Sequence, residues 1–223
     1  MRFSSKLKLT LQRWAISRRG FWFVDVPRTS TTSIKDELAE AFGPVFGKTP
    51  GRWSFPDHTP ASRMRTLLGS ELWDRLFTFS IVRNPWSRQL SFYHWARNNG
   101  FFKQMTFRDF VLELNKQFET GQSRFIWHGP YFGSADYLFD SDGRQLVQCI
   151  IRFEDREAGL AEVAKRLHLP SLGQRHQNKQ TPADSHYADA YDDETRQLIA
   201  KIYRRDLDLF GYRFESPVGG ETE

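Results

Sequence analysis

The chain has 223 residues and one cysteine, a length that fits a single domain able to bury a core without disulfides or a structural metal. One cysteine excludes an intramolecular disulfide and a zinc cluster of the CxxC type. The formal net charge is +5, but residues 1–24 hold six basic side chains and no acidic ones. The rest of the chain is nearly neutral, so we expect no nucleic-acid partner.

Residues 1–20 form a basic arm or helix. Phe3, Leu7, Leu11 and Trp14 share one helical face, and two interpretations stay open: an arm that contacts a membrane surface or acidic polymer, and an ordinary first helix packed on the body. No apolar run reaches the roughly 18 residues that span a bilayer, and the N-terminal segment lacks the continuous apolar stretch typical of a signal peptide. We expect a soluble cytoplasmic protein, with peripheral membrane contact through the basic N-terminus as an alternative.

Residues 21–214 are predicted to form one domain, followed by a tail at 215–223. Apolar runs predict strands, and helical spacing of apolar residues predicts helices between them. The first predicted elements are a strand at 21–26, a helix at 34–42, a helix from Thr59-Pro60 to Leu72, a strand at 77–82, and a helix from Asn84-Pro85. Thr106 and Asp109 then give a capping-box signature before an amphipathic helix with Phe118 on its apolar face.

The second half continues the alternation of strands and helices. The predicted elements are a loop at 121–134, strands at 136–139 and 146–153 around a turn at 140–143, a helix at 158–167, an irregular segment at 171–188, and a final helix from 192 to 205. This order predicts an α/β fold, a single domain with a central parallel sheet and helices on both faces.

The loop after the first strand, residues 27–33, joins it to a helix through Arg28 and five consecutive hydroxyl residues. These are Thr29, Ser30, Thr31, Thr32 and Ser33. A helix N-terminus presents unpaired N–H groups, and hydroxyls and a guanidinium add donors, so the loop predicts an anion site. Capping alone explains one or two of the hydroxyls. No glycine lies between Phe21 and Phe42, which disfavours a Walker loop for ATP or GTP.

A second strand, loop and helix unit repeats this design. Arg83 follows the strand at 77–82, and Ser91 lies two turns into the next helix, on a face that Arg88 shares. A surface salt bridge and a neutral helix serine are the alternative interpretation. Because open parallel sheets bind ligands at the carboxyl ends of their strands, the two units predict a ligand with two separate anionic groups.

These residues resemble the sulfotransferases that use 3′-phosphoadenosine 5′-phosphosulfate, in particular the Golgi-type carbohydrate branch that includes heparan sulfate 2-O-sulfotransferase and its bacterial relatives. Residues 27–33 look like that family's 5′-phosphosulfate loop. Residues 81–93 look like its 3′-phosphate element, V-R-x-P-x-x-R-x-x-S-x-Y. Residues 152–154 and 191–214 are similar to its RFE segment and its terminal helix with the pattern Y-x-x-D-x-x-x-F-G-Y. The resemblance implies a P-loop-like sulfotransferase fold over residues 21–214 in a bacterial-type soluble protein.

The resemblance also implies roles for individual residues. The hydroxyl run from Thr29 to Ser33 would hold the 5′-phosphosulfate, and Arg83 and Ser91 would hold the 3′-phosphate. Arg28 stands where the family usually has lysine; it keeps the positive charge but cannot donate a proton. The nucleotide is a co-substrate, no metal is implied, and the acceptor would be a hydroxyl, most simply that of a carbohydrate.

Transfer to a hydroxyl needs a base for the acceptor proton. His58 precedes the helix start at Thr59-Pro60, where the helix dipole disfavours an imidazolium, while Asp57 acts in the opposite direction. A histidine before this helix is also found in many relatives. A flanking histidine without chemistry is the simpler interpretation, and His128 is the alternative base.

The sequence thus predicts a sulfotransferase in which His58 and Arg28 are catalytic. A nucleotide-dependent kinase is the first alternative, although a Walker-type lysine and a magnesium-binding acidic residue are not found. The second is a protein of the same fold that binds nucleotide or glycan without catalysis, because arginine and threonine replace the usual residues at positions 28 and 31.

Overall fold

The computed structural model describes residues 5–43, 58–121, 132–174 and 187–215, with side chains from residue 9 onward. The chain divides into two compact units, Met1–Val82 with Asp136–Asn178, and Arg83–Ala135 with Lys179–Glu223. Each unit is described by itself below. The predicted domain limits, with a tail at 215–223, remain a prediction.

The first unit contains a parallel sheet of three strands. They are β1 (Phe21–Val24), β2 (Phe77–Val82) and β3 (Cys149–Arg152), in the order β1-β2-β3. The register pairs Val24 with Ser80 and Val82 with Arg152, so the carboxyl ends of the strands lie at one edge. The strands are short apolar runs, and Val24, Phe79 and Ile81 are fully buried, as expected for a sheet covered by helices. The predicted α/β class with a parallel sheet flanked by helices is confirmed.

The helices of the first unit follow the predicted order with two corrections. They are α1 (Ser5–Arg19), α2 (Thr31–Phe42), α3 (Ala61–Leu68), α4 (Ser70–Arg75), α7 (Ser134–Leu138, which crosses the unit boundary) and α8 (Arg156–Arg166). The single helix predicted up to Leu72 is two, because Gly69 breaks it at φ 85°. The strand predicted at 136–139 is wrong: the segment lies mostly in α7, and only an isolated bridge joins Phe139 to Gln145.

The basic first helix contacts β1, with Ile16 buried and Trp14 60% exposed. Trp14 therefore lies off the buried side of α1, which Ile16 occupies, and the role of the face that it shares with Leu7 and Leu11 stays a prediction. Arg18 stacks over the Trp14 ring at 5.2 Å. Within the part of the chain that the structure describes, no helix has the length and apolar character of a membrane span.

The second unit is helical. It contains α5 (Pro85–Asn98), α6 (Phe107–Thr120), α9 (Asp193–Ile202) and α10 (Arg204–Phe210), with a 3-10 turn at Tyr187–Ala190. Its core includes Trp86, Leu90, Phe110, Ile199 and Tyr203. The capping box of Thr106 and Asp109 is confirmed, whereas Phe118 is 40% exposed and lies off the buried face. The predicted final helix is interrupted at Tyr203.

Candidate functional site

The loop between β1 and α2 has an unusual backbone. Arg28 and Ser30 both adopt left-handed conformations, with φ of 67° and 64°. A non-glycine residue in this region costs about 1–3 kcal/mol, and such strain concentrates at functional sites. Left-handed residues within a turn direct successive peptide N–H groups toward one side, which forms an anion-binding concavity. The loop predicted to bind an anion therefore contains two left-handed residues, although it contains no glycine.

The hydroxyl residues of this loop divide into two kinds. The Thr29 hydroxyl donates to the Val26 carbonyl at 2.9 Å in a buried position. Its proton closes the turn and is not available to a ligand. Ser30 is the N-cap of α2 but makes no side-chain capping bond. Thr31 and Ser33 lie in the first turn of α2, whose leading N–H groups have no acceptor within the helix. This turn meets the requirement for holding a phosphate or sulfate.

His58 contacts Asp25, the residue that follows β1, through both its backbone and its ring. The His58 backbone N–H donates to Asp25 Oδ1 at 2.9 Å. The ring nitrogen Nδ1 lies 3.1 Å from the Asp25 carbonyl oxygen and 3.3 Å from Oδ2. A carbonyl oxygen can only accept, so Nδ1 carries the proton and the neutral ring keeps its basic lone pair on Nε2. This is the tautomer that a general base requires.

Sequence reasoning assigned no role to Asp25 or Lys35. Lys35, on α2, donates to Asp25 Oδ2 at 2.7 Å, and the two side chains are only 12% and 11% exposed. The signal in the sequence is a lone carboxylate at the end of an apolar strand, a position that faces the binding edge of a parallel sheet. Its contact with His58 joins residues 33 positions apart and has no local signature.

The start of α3 differs slightly from the prediction. Pro60 is the N-cap and Ala61 the first helical residue, one position later than Thr59 and Pro60 were placed. His58 therefore lies outside the helix, with φ of 57°. Its ring nitrogen Nδ1 contacts Asp25. Asp57, weighed above as an opposing charge, lies outside the described residues, as does the alternative base His128.

In the second unit, Arg83 immediately follows β2 and is 4% exposed. Its Nε donates to Ser87 Oγ at 2.9 Å, which fixes the plane of the guanidinium. The helix start behind it is well defined: Asn84 caps α5 by accepting from the Trp86 N–H, and Pro85 occupies the first turn. Asn84 also donates to the Arg213 carbonyl at 3.0 Å. Arg83 is thus a buried cation on a fixed helix terminus.

Ser91 and Arg88 lie further along α5, and both are buried. Arg88 donates to the Phe132 carbonyl at 2.9 Å and stacks over the Tyr203 ring at 5.1 Å. These contacts make Arg88 a packing residue of this unit rather than a surface salt bridge. Residues 28–33 and 58 belong to the first unit and residues 83 and 91 to the second. Among the described residues, no group of three or more His, Cys, Asp or Glu side chains is placed to hold a metal ion.

Comparison with known proteins identifies the family. A model described as "Sulfotransferase family" matches residues 51–213, which include parts of both units and the positions of His58, Arg83 and Ser91, but not the loop at 27–33. A solved sulfotransferase from Alicyclobacillus acidocaldarius is similar at 15% identity over 93% of this chain and 94% of that chain, with a TM-score of 0.37. The comparison with curated proteins gives no significant match. Because the family model covers most of its length, the chain belongs to the sulfotransferase family and is a sulfotransferase.

Proposed function

We propose that this enzyme transfers a sulfuryl group from 3′-phosphoadenosine 5′-phosphosulfate to a hydroxyl of a carbohydrate, with His58 as general base and Arg28 at the leaving phosphate. The Golgi-type carbohydrate branch is the part of the family to which we assign it, on the motifs at 27–33 and 81–93. The carbohydrate acceptor rests on that resemblance.

The loop at 27–33 fits the 5′-phosphosulfate. Arg28 and Ser30 are left-handed, a backbone conformation that in turns can direct peptide N–H groups to an anion, and the first turn of α2 adds further donors. Ser30, Thr31, Thr32 and Ser33 supply hydroxyls, whereas Thr29 contributes its backbone. The Arg28 guanidinium supplies a permanent positive charge where negative charge grows on the departing phosphate.

His58 accepts the acceptor proton on Nε2 while its Nδ1–H remains directed at Asp25. The donor supplies the sulfuryl group: the acceptor oxygen forms a bond to sulfur as the bond between sulfur and the phosphate oxygen breaks. Arg28 stabilises the released phosphate, which leaves as part of 3′-phosphoadenosine 5′-phosphate. The proton ends on His58 and passes to solvent, so atoms and charges balance.

Arg83 and Ser91 are assigned to the 3′-phosphate. Arg83 is pre-oriented by Ser87, so little side-chain entropy is lost when it meets a phosphate. Its planar guanidinium matches phosphate oxygens in a bidentate manner. Ser91 is a buried hydroxyl on the same helix.

The observation that carries the proposal is that the end of β1 leads into the left-handed loop and that Asp25, which follows β1, contacts Nδ1 of His58 at 3.1 Å. A thermal-shift comparison tests the donor: 3′-phosphoadenosine 5′-phosphate should stabilise the protein more than AMP or ATP with Mg²⁺. Stabilisation by ATP with Mg²⁺ and none by the 3′-phosphorylated nucleotide would favour the kinase alternative instead.

The base assignment gives the first mutational prediction. His58→Ala should lower turnover by about 10²-fold or more with nucleotide affinity retained, and added imidazole should restore part of it. Transfer of radiolabelled sulfate to a panel of glycans provides the assay and identifies the acceptor. His168→Ala is the matched control, since His168 has the same φ of 57° but is exposed at the end of α8. An unchanged rate in His58→Ala would remove His58 from the chemistry.

A further inference from the structure

We propose that Asp25 is the positioning residue of the catalytic base: it fixes both the backbone and the tautomer of His58, with Lys35 as its countercharge. This proposal rests on the proposed role of His58. It concerns a residue for which neither the motif resemblance nor the family assignment gives a function.

The two oxygens of the Asp25 carboxylate have separate partners. Oδ1 accepts the backbone N–H of His58 at 2.9 Å, while Oδ2 lies 2.7 Å from Lys35 Nζ and 3.3 Å from His58 Nδ1. The backbone carbonyl of the same residue lies 3.1 Å from Nδ1. Residue 25 therefore presents only acceptors to His58, and the ring is held with Nε2 as its basic nitrogen.

The backbone contact matters as much as the ring contact. His58 has φ of 57°, a conformation that costs a histidine about 1–3 kcal/mol and persists only when its surroundings impose it. The hydrogen bond to Asp25 Oδ1 is one such restraint, because it forms at the strained residue itself. Without it, His58 loses a contact that fixes where its ring enters the site.

Lys35 explains why a carboxylate is tolerated here. Asp25 is 7% exposed, and a buried charge without compensation is strongly unfavourable. The ammonium of Lys35 supplies that compensation from α2, the helix that begins with the anion loop. When His58 takes a proton, its imidazolium lies next to a carboxylate that is already ordered, so no solvent has to reorganise around the new charge.

Asp25→Asn is the informative variant because it keeps the size of the side chain. Whichever way the amide is turned, its NH2 group faces a donor: Nδ1–H and the Lys35 ammonium on one side, or the His58 backbone N–H on the other. One contact is lost, and the expected fall in kcat is about 10- to 100-fold, smaller than for His58→Ala. Nucleotide affinity and the KM for the donor should change less than threefold. Asp74→Asn is the matched control, since Asp74 pairs with Arg65 at an exposed position.

A double-mutant cycle separates positioning from a general structural role. If Asp25 acts through His58, Asp25→Asn should cost less than twofold in kcat when His58 is already alanine. A full loss in that background would overturn the proposal while leaving His58 as base. An unchanged rate in His58→Ala would overturn the proposed function, and this inference with it.

A measurement independent of activity completes the test. Nitrogen-15 NMR of the wild-type protein should show neutral His58 protonated on Nδ1, and protonation on Nε2 would overturn the proposal. If Asp25→Asn does not fold, the pair Asp25→Ala with Lys35→Met removes both charges together and should show the same fall in kcat. Full activity in that double variant would also refute the role of Asp25.

Discussion

Arg83→Ala should weaken binding of 3′-phosphoadenosine 5′-phosphate far more than binding of AMP, which lacks only the 3′-phosphate. Arg83 is buried, and its Nε donates to Ser87 Oγ at 2.9 Å, so the rest of the guanidinium is held in one orientation. A charge-assisted hydrogen bond contributes about 1.5–3 kcal/mol. Loss of one or two such bonds corresponds to a loss of affinity of about 10- to 10⁴-fold for the 3′-phosphorylated nucleotide. Binding of AMP should change less than threefold.

Isothermal titration calorimetry with both nucleotides measures this ratio directly. Arg88→Ala is the matched control: Arg88 is also buried on α5, but it contacts the Phe132 carbonyl and the Tyr203 ring. Its loss should lower the melting temperature and leave the ratio of the two affinities unchanged. Ser87→Ala should give about a fivefold loss for the 3′-phosphorylated nucleotide, because it releases the guanidinium. Equal losses for both nucleotides in Arg83→Ala would show that Arg83 does not read the 3′-phosphate.

Three further predictions concern stability and are checked by thermal or pH-dependent unfolding. Ser30→Gly should raise the free energy of unfolding by about 1 kcal/mol, because Ser30 has φ of 64°, which glycine adopts without strain. Ser17→Gly, within the helix α1, is the control and should lower the free energy of unfolding by about 0.5 kcal/mol. A change of the same sign in both variants would contradict strain at Ser30. Gly133→Ala should destabilise by about 1–3 kcal/mol, because its Cβ would lie within 2.5 Å of Asp206 Oδ1, a carboxylate that the N–H groups of Ser134 and Ala135 hold in place. Hydrogen bonds from Thr195 lower the pKa of Asp192 at the start of α9 in the folded protein. The ionised Asp192 side chain therefore stabilises the fold at a pH above its pKa in the unfolded chain, about 4, and this stabilisation is lost as the pH falls through the lower pKa of the folded state. In Asp192→Asn, the free energy of unfolding should fall less steeply between neutral and acidic pH than in the wild-type protein. The same pH dependence in both proteins would show that Asp192 does not control it.

For the loop at 27–33, the sequence indicated which residue types are present but not their backbone conformation. Five hydroxyls and an arginine between a strand and a helix were enough to predict an anion site at 27–33. The left-handed backbone at Arg28 and Ser30 was not predicted, because the usual indicator of positive φ is glycine and none is present. The sequence also did not reveal that the hydroxyl of Thr29 donates to the Val26 carbonyl and closes the turn. Residue types indicated the chemistry, while the backbone geometry depended on packing.

Among the helices and strands, features set by neighbouring residues were predicted, whereas those set by distant contacts were not. Asn84-Pro85 and Thr106 with Asp109 were predicted correctly as helix starts, since caps are local interactions of neighbouring residues. The strand expected at 136–139 is instead mostly part of α7, and the first N–H groups of that helix, at Ser134 and Ala135, pair with Asp206, about 70 residues later in the chain. A contact of that separation leaves no periodicity in the sequence.

The orientation of His58 depends on the sheet, because Asp25, which contacts it, directly follows the strand β1. Asp25 directly follows β1, and Ser80 in β2 donates to the carbonyl of Val24 at 2.7 Å. The register of β1 on β2 therefore sets the position of the carboxylate that holds His58. A local argument from the helix start at Thr59-Pro60 led to His58 as the proposed base, and the structure adds its contacts with Asp25. In this fold, the end of one buried strand leads into Asp25, which contacts the proposed base, and then into the loop proposed to hold the donor.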